Sequence, residues 1–127
     1  MNRSFRVIVN ISWALFILAA STIGVGVNLP NTFEDLVAWD KLAHAAVYTI
    51  FGLLLYLFWR IFTGRQKAMI WSWSVAVSYG IAMEVVQYSF FPNRYFEIFD
   101  IFANIVGATI SLLLIYFLTD KKSQSYG

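Results

Sequence analysis

The 127-residue sequence has no cysteine, which excludes disulfides, thiol nucleophiles and thiolate-ligated metal centres. It has one histidine, His44, so the paired-histidine pattern H-E-x-x-H is also excluded. Charged residues make up only 13% of the chain, against about a quarter in soluble domains. The nine basic residues form no block or stripe, so the sequence pI near 9.0 carries no footprint of nucleic-acid binding. Apart from the tail KKSQSYG, expected to fray, there is no linker, internal repeat or low-complexity segment, and the length suits one domain.

What is present is apolar. Hydrophobic residues reach 60% and the mean hydropathy is +0.68. Four segments, at about 5–27, 42–60, 68–91 and 98–118, approach the roughly 20 apolar residues that span a bilayer as a helix. The expected fold class is therefore all-α, a polytopic membrane protein with four transmembrane helices. Its connections read NLPNTFEDLVAWD, FTGRQK and a turn around FPNRYFE, where Pro92 and Asn93 supply turn geometry. MNRSFR followed by LAAS has the outline of a signal peptide, but the long apolar run and the charge pattern predict a retained first span.

The charges sort by position. Arg3, Arg6, Arg60, Arg65, Lys67, Lys121 and Lys122 occupy three ends that four spans place on one side. The positive-inside rule makes that side cytoplasmic, with both termini inside and the segments around 28–41 and 91–100 outside. Glu34, Asp35, Asp40, Glu84, Glu97 and Asp100 all lie in or near those outer segments. The expected location is a cellular membrane, crossed by the chain several times.

Helical geometry gathers the polar residues. At about 100° per residue, Asp40, Lys41, His44 and Tyr48 fall within one arc of about 100°. Glu84, Gln87 and Tyr88 share a similar arc in the third span, and Asp100, Asn104, Gly107 and Ser111 one of about 60° in the fourth. Their depths also match: His44 and Asn104 lie about 6 Å below the outer residues Asp40 and Asp100, and Glu84 about 10 Å below Phe91. Gly80 and Gly107 would admit close helix approach.

Each residue also has a plain structural reading. Asp40 would serve as a helix N-cap, Lys41 as an interface anchor, and the five tryptophans as an aromatic belt. Glu84 resists such a reading, because an ionisable group at that depth costs on the order of 2.5–3.5 kcal/mol and needs partners or water.

In order, D-K-x-x-H-x-x-x-Y at 40–48, E-x-x-Q at 84–87, Arg94, and D-x-x-x-N-x-x-G at 100–107 resemble the signature of the VanZ-like family of small bacterial membrane proteins. The signature region covers about residues 40–111. The resemblance implies a four-helix membrane fold and an association with the cell envelope, since the founding member confers low-level resistance to the glycopeptide teicoplanin. It carries the family's polar positions onto Asp40, Lys41, His44, Tyr48, Glu84, Gln87, Arg94, Asp100, Asn104 and Gly107. Ala45 replaces a residue often aromatic in the family, and Ser111 a common glycine.

Two functional readings follow. In the first, an enzyme acts at the outer leaflet on a phospholipid or lipid-linked cell-wall precursor. Glu84 or His44 serves as base, Asp40 orients His44, and Lys41 and Arg94 bind the anion, with Tyr48, Gln87, Asp100 and Asn104 completing the pocket. In the second, the same pocket binds an anionic headgroup without chemistry. A metal site on Asp40, His44, Glu84 and Asp100 is disfavoured because Lys41 and Arg94 oppose a nearby cation, and no metal is expected. Transport is disfavoured by the absence of an inverted repeat.

Overall fold

The computed structural model describes residues 1–23, 33–91 and 97–124. Four helices form within them: α1 (Arg3–Ile23), α2 (Phe33–Trp59), α3 (Arg65–Phe90) and α4 (Ile98–Gln124). All four are long and apolar enough to cross a membrane. Asn2 caps α1, its Oδ1 accepting the Phe5 N–H at 2.8 Å. A short turn over Arg60–Thr63, closed by the Thr63 N–H on the Trp59 carbonyl at 3.0 Å, reverses the chain into α3.

The second helix extends beyond its membrane span. The apolar segment Trp39–Trp59 agrees with the span expected at about 42–60, and α2 itself begins at Phe33. No glycine or proline lies between Pro30 and Gly52, so no helix breaker separates FEDLVAWD from the apolar segment. Asp40 therefore lies about two turns inside α2, which rules out its reading as an N-cap. The fourth helix likewise continues past 118 to Gln124.

The core is a three-helix assembly of α2, α3 and α4. The α2–α4 contact is the most extensive, and α1 packs on α2 and lightly on α3. Small residues set these distances. A Cβ on Gly107 would run into the Ala45 carbonyl, and one on Gly52 would meet the Ser111 side chain. Thr49 reinforces the approach by donating its hydroxyl to the Ala45 carbonyl at 2.7 Å and the Gly107 carbonyl at 3.0 Å. Between α3 and its neighbours, a Cβ on Gly80 would lie 3.0 Å from the Asn104 side chain and 3.1 Å from Tyr48 Cε1. Below this layer, Tyr48, Phe51 and Tyr79 make edge contacts, with ring centroids 6.2 and 5.4 Å apart.

Polar side chains fasten α1 to this core. Asn10 donates to the Leu54 carbonyl at 3.1 Å, and the Trp13 indole to the Val47 carbonyl at 3.2 Å. Tyr79 donates to the Ala14 carbonyl at 2.7 Å. Trp13 is thus a cross-helix donor, a role the aromatic-belt reading does not describe. Exposed apolar side chains such as Ile8, Leu15, Phe99 and Phe117 cover the outside of the helices, as a lipid-facing surface requires.

The charges divide between the two ends of the bundle. At one end Arg3 lies over Phe62 at 4.8 Å, Arg6 donates to the Leu57 carbonyl, and Arg65 pairs with Asp120 at 3.1 Å. At the other lie Asp40, Lys41, Glu97 and Asp100.

Candidate functional site

The α2–α4 contact carries the site at the acidic end. Its hub is the Lys41 ammonium, which donates to Asp40 Oδ2 at 3.2 Å, to Glu97 Oε2 at 2.7 Å and to Asp100 Oδ1. Three carboxylates from two helices thus surround one ammonium. Their burial is unequal: the Asp100 side chain is 11% exposed, whereas those of Asp40 and Glu97 are 47% and 54% exposed. Asp100 contributes most to the pairing, because ion pairs open to solvent are worth little.

One turn further in, His44 Nδ1–H donates to Asn104 Oδ1 at 2.9 Å. Asn104 is almost fully buried against Gly80, so its amide holds the imidazole from α4. The ring's other nitrogen, Nε2, faces Asp40 Oδ1 at 3.7 Å and Asp100 Oδ2 at 3.8 Å. The sequence reading has Asp40 orient His44. The short bond comes from Asn104, with Asp40 one of two carboxylates facing the opposite nitrogen.

Glu84 lies deeper, 2% exposed on α3. Its electrostatic neighbours are Asp100, His44 and the start of α4 at Glu97, whose backbone amide also reaches it. The Tyr48 hydroxyl lies within electrostatic range of Glu84 and of Tyr79, is fully buried, and has no hydrogen-bond partner among the described residues. Together these residues form an inner layer beneath His44.

Two α3 residues depart from the expected stripe. Gln87 is buried, but its amide donates to the Ser21 carbonyl of α1 at 2.8 Å. Tyr88 is 62% exposed. The buried arc of α3 runs through Gly80, Met83, Glu84 and Gln87, so Glu84 stands at its edge and Tyr88, about 40° beyond, falls outside. Arg94 lies outside the described residues.

Sequence reasoning counted Glu97 among the outer acids without assigning it to the site, although it contacts the Lys41 ammonium directly. The available signal was its position, one helical turn before Asp100. A separate open apolar groove of about 600 Å³, lined by Gln66, Met69, Ile70, Trp73, Ser74 and Leu112, contains none of the expected site residues.

The arrangement combines fixed carboxylates, an imidazole with one nitrogen anchored and the other turned to the acids, and a buried acid with a hydroxyl beside it. Such a set can bind a polar headgroup or exchange protons with one. No curated protein and no solved structure matches the chain. A family model described as VanZ/LLP1 matches residues 3–119, nearly the whole chain, and spans every candidate site residue; the chain belongs to the VanZ-like family.

Proposed function

We propose that this VanZ-like membrane protein recognises the headgroup of a cell-envelope phospholipid or lipid-linked cell-wall precursor at the outer face of the bacterial cytoplasmic membrane. The observation that carries this reading is the convergence of Asp40, Lys41, His44, Asp100, Asn104 and Glu84 at one end of the bundle, opposite the end that gathers Arg3, Arg6 and Arg65. By the positive-inside rule the arginine end is cytoplasmic, which turns the polar cluster outward and leaves both termini inside. At that depth the cluster meets lipid headgroups.

In the catalytic form of this reading, His44 and Glu84 move the protons. His44 Nε2 is the accessible atom, since Nδ1 is committed to Asn104. Arg94 supplies the anion contact, because the Lys41 ammonium is already surrounded by Asp40, Glu97 and Asp100. In the second form, binding without turnover, the cluster grips a headgroup and releases it unchanged. Family membership supports an envelope role and a link to low-level teicoplanin tolerance.

Both forms are tested together by native mass spectrometry of the purified chain and lipid analysis of a deletion strain. A co-purifying envelope lipid, lost in Arg94→Ala and in Glu84→Gln variants that retain native helicity, is the expected result. A changed lipid or precursor product in the deletion strain, reproduced by His44→Ala, identifies turnover; unchanged products with lost co-purification identify binding alone. Full lipid retention and an unchanged envelope phenotype in all three variants would overturn the proposal.

A further inference from the structure

The geometry points to a binding site for one first-row divalent cation, with zinc as the reference ion, formed by Asp40 Oδ1, His44 Nε2 and Asp100 Oδ2. These ligand atoms lie within 4.8 Å of one another. The two histidine–carboxylate separations, 3.7 and 3.8 Å, exceed hydrogen-bond length. Four-coordinate zinc, with bonds of about 2.0–2.2 Å, needs ligand atoms roughly 3.3–3.5 Å apart, so the two histidine–carboxylate separations need to contract by only a few tenths of an ångström.

Lys41, which with Arg94 makes the sequence case against a cation, takes the other oxygen of each aspartate. Its ammonium is bonded to Asp40 Oδ2 and Asp100 Oδ1. The opposite oxygens, Asp40 Oδ1 and Asp100 Oδ2, accept no hydrogen bond among the described residues and turn toward His44. With Nδ1–H donating to Asn104, Nε2 is the ring nitrogen left to bind a cation, and it faces one oxygen of each aspartate.

Two observations outside this set point the same way. The Asn104 carboxamide, buried to 2% exposure, fixes the imidazole from behind, as second-shell carbonyls do for metal-bound histidines. The Tyr48 hydroxyl, fully buried and without a hydrogen-bond partner among the described residues, lies one turn below His44 on the same face of α2. The nitrogen ligand favours zinc over magnesium, which prefers oxygen ligands and retains its waters.

The test uses the full chain in detergent, purified without a histidine tag, stripped with chelator and titrated with zinc chloride. Calorimetry and elemental analysis should report about one zinc per chain, and a tenfold excess of magnesium should leave that value unchanged. His44→Ala and Asp100→Asn should weaken zinc binding at least a hundredfold, and Asn104→Ala about tenfold. Substoichiometric uptake by the native chain, or stoichiometric binding unaltered in a helical, monodisperse His44→Ala variant, would overturn the site. Zinc uptake is read without any lipid present, so its failure leaves headgroup recognition intact, and loss of lipid co-purification leaves the zinc result intact.

Discussion

Gly107→Val should abolish stable α2–α4 packing. The obstacle to a side chain at this position is main chain: a Cβ would overlap the Ala45 carbonyl, and Ala45 has nothing left to trim. Overpacking usually costs about 1–3 kcal/mol, and a backbone obstacle places this substitution on the order of 3 kcal/mol or above. The loss extends beyond the contact itself, because moving α4 away from α2 also breaks the Thr49 bond to Gly107 and pulls Asn104 from His44. Thermal unfolding in detergent should show a large fall in midpoint for Gly107→Val and a smaller one for Gly107→Ala. Gly52→Ala offers an internal control. There the neighbour is the Ser111 side chain, so pairing Gly52→Ala with Ser111→Gly should recover much of the lost stability, whereas no side-chain trimming at Ala45 rescues Gly107→Val.

Lys41→Met should destabilise the chain by about 3 kcal/mol, near the lower end of the cost of stripping one partner from a buried ion pair. The lower end applies because Asp40 and Glu97 are about half exposed and solvent screens them, leaving Asp100 as the stranded buried charge. That asymmetry makes the double variant decisive. Lys41→Met with Asp100→Asn should recover most of the loss, while Lys41→Met with Glu97→Gln should recover little. A double-mutant cycle on chemical or thermal unfolding measures both couplings. Equal recovery by the two acids would mean that the hub is a diffuse surface network.

Much of the site was legible because a helix converts spacing into direction. Asp100, Asn104, Gly107 and Ser111 fall within about 60° of arc in the sequence, and all four are buried on the α4 face that meets α2 and α3. The glycine reading also holds: Gly80 and Gly107 admit the close approaches that bring Asn104 and Tyr48 together. What periodicity does not contain is the partner. Gln87 shares its arc with Glu84, yet Gln87 reaches α1 and Glu84 faces the start of α4, because α3 is wedged between two neighbours and its buried arc is divided between them. The start of α2 lies ahead of its membrane span for a different reason. Hydropathy marks where lipid contact begins, whereas a helix begins where its backbone hydrogen bonds do, and FEDLVAWD has no residue that prevents them from forming. Which oxygen of each aspartate faces Lys41 and which faces His44 depends on rotamers, which residue order does not encode.

The proposed orientation of the bundle rests on charge sorting, and the functional account depends on it. If Asp40 and Asp100 faced the cytoplasm, the cluster would meet inner-leaflet lipids and soluble metabolites, and an outer-leaflet cell-wall precursor would be out of reach. The native chain has no cysteine, so single introduced thiols give a clean readout. Asp40 is about half exposed at one end of the bundle and Lys67 is exposed near the other, which makes each suitable for labelling.

The most direct measurement is therefore membrane-impermeant thiol labelling of Asp40→Cys and Lys67→Cys in intact cells. The account predicts that Asp40→Cys is labelled at once and Lys67→Cys only after the membrane is permeabilised. The reverse pattern would place the polar cluster on the cytoplasmic side and contradict the account.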